Sequence, residues 1–283
     1  RVDCRGGAPR GMMRYATGFG MEHISLGHTH GGRTRGLPGL TRPWGFNGRE
    51  RPLAIHAPAG TRGEVESLLS AATDRPSYPV RVTQASPGEV VLDREEYEVR
   101  AFQVDHDTRA VGYVLVEDER KGRFDRERAE EEFGIPPGPK YSRLHAGEPV
   151  EHEGRTVRPE AVVGPARPGR RVVYTGDTRP VEATVAAAEE ADLLVHDGTF
   201  ADDHTERAHE TAHSTAREAA AVAREAGVRQ LALTHISTRY AGRGDLLGAE
   251  AREVFPDTLV AHDGMSIEVP FPDSDRSFDV QAR

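Results

Sequence analysis

The stretch ISLGHTHGGRTRGLPGL, residues 24–40, places two histidines at the end of a short apolar run. In an extended segment the side chains of His28 and His30 point to the same side, so both can reach one ion. A hydrolytic metal site would continue with further ligands, but Gly32 and Arg33 follow here. The stretch is therefore a metal site, a metal site that has lost ligands, or a pair of surface histidines.

The composition limits the class of protein. The chain has 283 residues, a net charge of −9 and one cysteine, Cys4. This length is ample for a core, and a single cysteine excludes both an internal disulfide and a cysteine-based zinc site. No apolar run could span a bilayer and no signal-peptide pattern is present, so we expect a cytoplasmic protein with no membrane contact. The acid excess argues against nucleic-acid binding by the whole surface, but it allows one local basic patch.

The second half of the chain alternates between β-branched strand patterns and alanine-rich helix patterns. This alternation predicts an α/β layered fold. Thr215 and Glu218 form a possible capping box at the start of the strongest helix, which Gly227 ends. The predicted strands are 51–58, 78–85, 97–107, 170–178, 192–200 and 228–237, and the predicted helices are 60–72, 181–191 and 214–227.

Candidate metal ligands follow several of these strands directly. One histidine at a strand end is usually structural, but several such His and Asp positions in one chain are harder to explain in that way. Ligands gather at strand ends because the loops there converge over a rigid sheet. The candidates are His28, His30, His106, Asp177 and His235.

The chain resembles the ribonuclease Z family, the tRNA 3′-end processing endonucleases of the metallo-β-lactamase superfamily. The resemblance rests on six motifs in the family's order and on DCRGGAPRGMMRYATGF (3–19), which is similar to a further family segment. It implies a four-layer αββα metallo-β-lactamase fold in one domain, residues 1–283. The family has two strands before the segment that opens this chain, so we expect an N-terminally truncated fold. The six motifs are HTHGGRTRGLPGL (28–40), VDHDTRAVGY (104–113), VVYTGDTRP (172–180), DLLVHDGTF (192–200), AHSTAREAA (212–220) and LALTHISTRYAG (231–242).

The resemblance also implies a set of zinc ligands. The family's opening motif is His-x-His-x-Asp-His, and its two first histidines match His28 and His30. With His106 and Asp177 these would hold one zinc ion completely. The second zinc would keep only Asp177 and His235.

Gly32 and Arg33 stand where the family has an aspartate and a histidine, both ligands of the second zinc. The missing aspartate is also the family's general base, so the resemblance puts activity in doubt. Arg33 either points to solvent after relaxed drift of the sequence, or it places a guanidinium where a zinc would sit and binds a phosphate.

Two further residues match the family's catalytic apparatus. His213 resembles the histidine that assists proton transfer to the leaving group, and Asp197 stands where a carboxylate can orient it. We expect His196 to pack or bond locally. The remaining histidines are expected at the surface or in loops: His23, His56, His145, His152, His204, His209 and His262.

The segment 117–150 is highly charged and then rich in proline and glycine, which predicts an excursion from the domain. It resembles the family's exosite arm, which grips the tRNA, usually from the other subunit of a homodimer. The alternative is a solvated charged loop. The candidate RNA-binding residues are Lys121, Arg123, Lys140 and Arg143.

Together these features predict a zinc-dependent endoribonuclease that removes the 3′ trailer from tRNA precursors and leaves a 3′-hydroxyl. The alternative is a catalytically dead or one-zinc paralogue that keeps the fold, dimerisation and RNA binding. A third possibility is a one-zinc hydrolase of the same fold with another substrate.

Overall fold

The computed structural model describes residues 1–15, 20–71 and 76–282. The end of the segment 3–19, the last residue of the predicted helix 60–72 and the last residue of the predicted domain 1–283 lie outside these ranges. The chain folds into two compact units. The first comprises Arg1–Val116, Arg170–Pro270 and Arg276–Arg283, and the second comprises Glu117–Gly169 and Phe271–Asp275.

Most helices and strands of the protein are short. The helices are α1 (Ala8–Arg14), α2 (Gly31–Thr34), α3 (Gly36–Phe46), α4 (Arg62–Ser70), α5 (Arg126–Glu131), α6 (Pro139–His145), α7 (Glu182–Ala187), α8 (Thr205–Glu210), α9 (Ala216–Ala226) and α10 (Gly244–Arg252). The strands are β1 (His23–Ser25), β2 (Leu53–Pro58), β3 (Val80–Ala85), β4 (Val90–Asp93), β5 (Tyr97–Gln103), β6 (Val111–Glu117), β7 (Val150–His152), β8 (Arg155–Val157), β9 (Arg171–Tyr174), β10 (Leu193–Asp197), β11 (Gln230–Thr234), β12 (Thr258–Val260), β13 (Met265–Glu268) and β14 (Asp279–Ala282).

The first sheet of unit one has three parallel strands in the order β1-β2-β3. Its register pairs Ile24 with Ile55 and Ile55 with Val82, and all three side chains are buried. Residues of helices α1, α3 and α4 belong to the same apolar cluster. These helices therefore cover one face of the sheet.

The second sheet has seven strands in the order β12-β11-β10-β9-β6-β5-β4, and strands β9 to β12 run parallel. Successive side chains of a strand point to opposite faces. Accordingly Ala101 and Tyr113 belong to one apolar cluster with Ala85 of the first sheet, whereas Phe102 and Val114 pack with helices α9 and α10. The layers are helix, sheet, sheet and helix, and the predicted αββα fold is confirmed.

Helix α9 shows how closely local sequence decides an element in this protein. The Thr215 side chain accepts from the backbone N–H of Glu218, and the Glu218 carboxylate accepts from the N–H of Thr215, so the predicted capping box is present. The helix ends at Gly227, whose φ of 66° is the left-handed conformation that favours glycine. The cap fixes the start of the helix, three residues after His213.

The second unit has its own small core, although its sequence shows no sustained core period. Helices α5 and α6 and the antiparallel pair β7-β8 surround it. The buried members are Ala129, Ile135, Leu144, Val150, Val157 and Val162. This unit extends to residue 169, beyond the segment 117–150.

Within the described ranges, no helix has the length and apolar character needed to cross a membrane. The prediction that His56 lies at the surface or in a loop was wrong: it is buried on the central strand β2 of the first sheet, where its ring contacts the His23 ring. His196 is buried and bonds locally to the Asp197 carbonyl, as predicted.

Candidate metal centre

Strand ends deliver the candidate side chains to one edge of the sheets in unit one. His28 lies three residues after β1 and His106 three residues after β5. Asp177 and His235 follow β9 and β11, and Asp197 is the last residue of β10. Because β9, β10 and β11 are parallel neighbours, their carboxyl ends converge, and the polar side chains there lie close together.

The first donor group consists of His28, His30 and His106. Each offers a ring nitrogen, and these atoms lie within 4.8 Å of one another. The ring centroids of His28 lie 4.9 Å from His30 and 4.8 Å from His106. His28 is buried, whereas the His30 side chain is 49% exposed at the mouth of the site.

Two of these rings are prepared for a metal ion. The Nδ1–H of His106 donates to the Ala212 carbonyl at 3.0 Å, which leaves the Nε2 lone pair free. That Nε2 atom is buried without a hydrogen-bond partner among the residues described, although Asp107 Oδ1 lies 3.2 Å from it. Burial lowers the pKa of His106. Burial, and then the positive charges of neighbouring His106 and Arg33, lower the pKa of His28 to about 2. Neutral imidazoles are the form that binds metals.

Asp177 adds a carboxylate to this group. Its Oδ2 atom lies 3.6 Å from His28 Nε2 and 3.5 Å from His235 Nε2. Two ligand atoms on one tetrahedral zinc are separated by about 3.3–3.6 Å, given the usual bond lengths. The residues present therefore fit one metal ion held by the three histidines and Asp177.

A second group of donors lies beside the first. Asp177, Asp197, His213 and His235 also offer atoms within 4.8 Å of one another. By proximity Asp177 belongs to this second group. The resemblance assigned Asp177 to both metal positions, and so also to the three histidines. The two distances from Asp177 Oδ2 explain both assignments, because that oxygen stands between His28 and His235.

Asp197 and His213 form a buried dyad. The Nδ1–H of His213 donates to Asp197 Oδ2 at 2.7 Å, and the same oxygen accepts from the N–H of Thr178. Burial alone would raise the pKa of Asp197, but its hydrogen bonds with His213 and Thr199 outweigh burial and leave that pKa below its usual value. Asp197 is therefore a carboxylate that orients the His213 ring and leaves Nε2 as the nitrogen that can exchange a proton.

Thr199 links this dyad to His235, and the sequence reasoning missed it. Its hydroxyl donates to Asp197 Oδ1 and accepts from Nδ1–H of His235 at 2.7 Å. This bond leaves Nε2 of His235 facing Asp177. His235 also adopts a φ of 61°, a strained conformation for a residue other than glycine. The threonine two residues after Asp197 in the motif HDGTF was the available signal.

Arg33 does not point to solvent, so that expectation was wrong. The residue is 4% exposed. Its Nη1 donates at 2.9 Å both to Asp3 Oδ2 and to the Tyr174 hydroxyl, and its Nη2 contacts Asp177 Oδ1. A buried guanidinium needs anionic partners, and Asp3 and Asp177 supply them from distant parts of the chain.

The residues beside Asp177 do not fit a second metal ion. Asp177 Oδ1 is taken by the Arg33 guanidinium, and Gly32 has no side chain to contribute. A Cβ at Gly32 would meet no atom within 4 Å, so space remains where a carboxylate could stand. The pocket is a cavity of about 380 Å³. It is lined by Arg5, His28, His30, Gly32, Arg33, His106, Asp107, Asp177, Thr211, His213 and His235.

The four predicted RNA-binding cations lie in the second unit. Three of them have partners there: Arg123 lies 3.7 Å from Asp273, Lys140 donates to the Glu151 carbonyl, and Arg143 pairs with Glu148. The fourth, Lys121, is exposed. The exposed cations remain compatible with either an RNA surface or a solvated charged loop.

Layered sheets with histidine and aspartate donors at their strand ends define the metallo-β-lactamase fold. Residues 144–236 match the family model described as a beta-lactamase superfamily domain. The solved human tRNase Z, short form, is similar with a TM-score of 0.66 at 22% identity, over 95% of this chain and 88% of that one. At this identity the likeness shows the fold alone.

Similarity to curated proteins is much higher. Ribonuclease Z of Haloarcula marismortui is 62% identical over 96% of this chain and 88% of its own length. Ribonuclease Z of Methanosarcina acetivorans is 46% identical over 95% and 88%. The chain belongs to the ribonuclease Z family, as the motifs predicted.

Proposed function

We propose that this chain is a zinc-dependent endoribonuclease that removes the 3′ trailer from tRNA precursors, cutting after the discriminator nucleotide and leaving a 3′-hydroxyl. One observation carries the proposal: a pocket of about 380 Å³ holds both a metal-donor set and the His213 ring that Asp197 orients. Hydrolysis of a phosphodiester needs an attacking water, an electrophile at the phosphate and a proton for the leaving oxygen, and this pocket supplies groups for the last two. Such a substrate also implies a cytoplasmic location.

Zinc is the ion we propose, in one copy. Three imidazoles and a carboxylate form a donor set that suits this metal. His28, His30, His106 and Asp177 would hold it. A bound zinc ion supplies Lewis-acid polarisation of a phosphoryl oxygen.

The remaining chemistry falls to side chains of the second donor group. His213 receives no proton from Asp197, which is ionised, but its ring is held with Nδ1–H toward that carboxylate. Its Nε2 atom can then take up a proton from water and donate it to the leaving oxygen. Thr199 and His235 keep the dyad in place through the hydroxyl that joins them.

RNA recognition is proposed for the second unit. Because the whole chain carries a charge of −9, contact with phosphates must be local. Lys121, Arg123, Lys140 and Arg143 supply positive charge in one compact unit. We further propose a homodimer, since in the family the arm serves tRNA bound by the other subunit; light scattering measures this directly.

The test is cleavage of a tRNA precursor with a 3′ trailer by the metal-loaded protein, with the product ends mapped. We expect cleavage after the discriminator nucleotide, and loss of that cleavage in His213→Ala. His262→Ala is the matched control, because His262 is an exposed histidine outside both donor groups. Failure of the folded, metal-loaded protein to cleave would reject the enzymatic proposal.

A second candidate function has one observation in its favour. Gly32 provides no carboxylate and Arg33 fills the space beside Asp177, so a paralogue that binds tRNA without cutting it is also compatible with the site. Tight tRNA binding without cleavage would support this candidate. Hydrolysis of a small phosphodiester without tRNA cleavage would instead indicate a one-zinc hydrolase with another substrate.

A further inference from the structure

The two carboxylate oxygens of Asp177 have different partners. Oδ1 contacts Nη2 of Arg33, whereas Oδ2 lies 3.6 Å from His28 Nε2 and 3.5 Å from His235 Nε2. One oxygen is therefore committed to a cation that belongs to the chain. Only the other oxygen is left for a metal ion.

The guanidinium is built into the protein rather than resting on its surface. Its second terminal nitrogen donates to Asp3 Oδ2 and to the Tyr174 hydroxyl, and that hydroxyl donates to the same Asp3 oxygen. Asp3 is held in turn by the N–H of Gly27, which donates to Oδ1 at 2.8 Å. Asp3, Tyr174 and Arg33 are thus joined in one closed set of hydrogen bonds.

The charges of Asp3 and Asp177 explain why an arginine lies between them. Asp3 and Asp177 are both less than 10% exposed, and two buried carboxylates this close to one guanidinium need that positive charge. An arginine never loses its proton in a protein, and its planar fork suits two acceptors at once. A tethered guanidinium therefore gives a permanent charge at a point where a dissociable ion would give a variable one.

We propose that the Arg33 guanidinium takes the place of a second metal ion in this pocket and acts as a positioning residue for Asp177. It neutralises Asp3 and Asp177. It also holds Oδ1 of Asp177, so that Oδ2 of Asp177 faces the first donor group. It also excludes a second cation, because two metal ions in such centres stand only about 3.5–4 Å apart. The inference rests on the proposed function for the first metal site, but not on RNA cleavage.

The test counts metal ions rather than products. Metal-free protein is dialysed against excess Co²⁺, and the bound equivalents and the visible absorption spectrum are recorded. We expect one equivalent for the unaltered chain and for Arg35→Met, an exposed arginine two residues away. In Arg33→Met we expect a second, weaker equivalent and an altered spectrum of the first, since Asp177 is no longer held.

Arg33→Lys keeps the positive charge but lacks the two terminal nitrogens of the guanidinium. It provides a second test if the Arg33→Met protein does not fold. We expect it to bind one equivalent, with the first-site spectrum altered. Two tight equivalents in the unaltered chain would overturn the inference, as would an Arg33→Met protein that matches the unaltered chain in both measurements. If metal counts follow expectation while tRNA precursors stay uncut, the proposed function fails and this inference stands.

Discussion

His213 Nδ1 lies 2.7 Å from Asp197 Oδ2, although sixteen residues separate them in the chain. Asp197 is fully buried at the end of β10, and His213 precedes the capped helix α9. Two rigid elements therefore fix the ring from opposite sides. The geometry makes the dyad the first place to test by substitution.

Replacing Asp197 with Asn removes the charge that sets the His213 tautomer. The amide can present N–H to Nδ1, which turns the ring toward the wrong proton arrangement. We expect tRNA cleavage to fall by about 10²-fold to 10⁴-fold, the usual contribution of a positioned acid or base, while bound metal stays at one equivalent. Asp203→Asn is the control, since Asp203 is exposed. Unchanged cleavage in the folded Asp197 variant would contradict the assigned roles.

The second prediction concerns the proposed metal ligands. His30→Ala removes one of four donors, and a zinc site needs a nearly full shell for tight binding. We expect the unaltered chain to retain about one zinc after dialysis and the variant to retain almost none, measured by elemental analysis. The control is His262→Ala at an exposed histidine, which is expected to retain the metal. Two zinc ions per unaltered chain after dialysis would show that the second position binds after all.

The second unit predicts a salt-dependent RNA contact. Lys121→Gln with Arg143→Gln removes two exposed charges without opening the small core around Leu144. If both contact phosphates, tRNA affinity falls and the slope of log affinity against log salt decreases by about 2. Hydrolysis of bis(p-nitrophenyl) phosphate is expected to stay unchanged.

A matched double variant separates an RNA contact from a general change of charge. Arg62→Gln with Arg207→Gln removes two exposed arginines of the first unit, each paired with a glutamate in the same way as Arg143. We expect this protein to keep the original salt slope. Equal slopes for both double variants would reject the arm as the RNA surface.

We expect the folded protein to lose stability in acid because of a chain of hydrogen bonds through His56. Arg94 donates to His23, the His23 ring donates to His56 Nε2, and His56 Nδ1 donates to Thr83, so both rings are neutral. Burial, then the neighbouring His23 ring, lowers the pKa of His56 from 6.5 to about 4. The other nearby charge is Glu22.

Because the pKa of His56 is lower in the folded chain than in the unfolded one, its stabilisation is complete above pH 6.5. It is lost as the pH falls from 6.5 to 4, by about 3 kcal/mol in total. His56→Gln keeps a donor and an acceptor without titrating. We expect its free energy of unfolding to fall less over this range than that of the unaltered chain, whereas His262→Gln, an exposed position, is expected to follow the unaltered chain. If the free energy of unfolding of His56→Gln falls with pH as much as that of the unaltered chain, His56 is not the cause of the acid sensitivity.

Repair of the opening motif tests how far the site has departed from its family. Gly32→Asp combined with Arg33→His supplies a carboxylate where a Cβ meets open space and removes the guanidinium from Asp177. We expect zinc retained after dialysis to rise toward two per chain and cleavage to rise by about 10²-fold to 10⁴-fold, with neither single change restoring cleavage. An unaltered metal count and rate in the folded double variant would show that the pocket serves another purpose.

Much of this molecule follows from local sequence. Alternating apolar residues, the Thr215 cap and Gly227 predict the strands and helix α9, because period and capping act within a few residues. The candidate donors at strand ends, such as His28 and His106, follow from local sequence too, because residue type and position relative to a strand indicate them. The boundary of the second unit at residue 169 was not apparent, since its six buried side chains show no regular spacing.

Only the tertiary structure decided what Arg33 does. By sequence it is one more arginine in an arginine-rich chain, and exposure to solvent was the simple expectation. Its burial depends on Asp3, 30 residues earlier, and on Tyr174, 141 residues later. The free energy of a buried charge is set by the partners that surround it, and no local pattern records those partners. The proposed exclusion of a second metal ion therefore depends on contacts that form only when distant segments fold together.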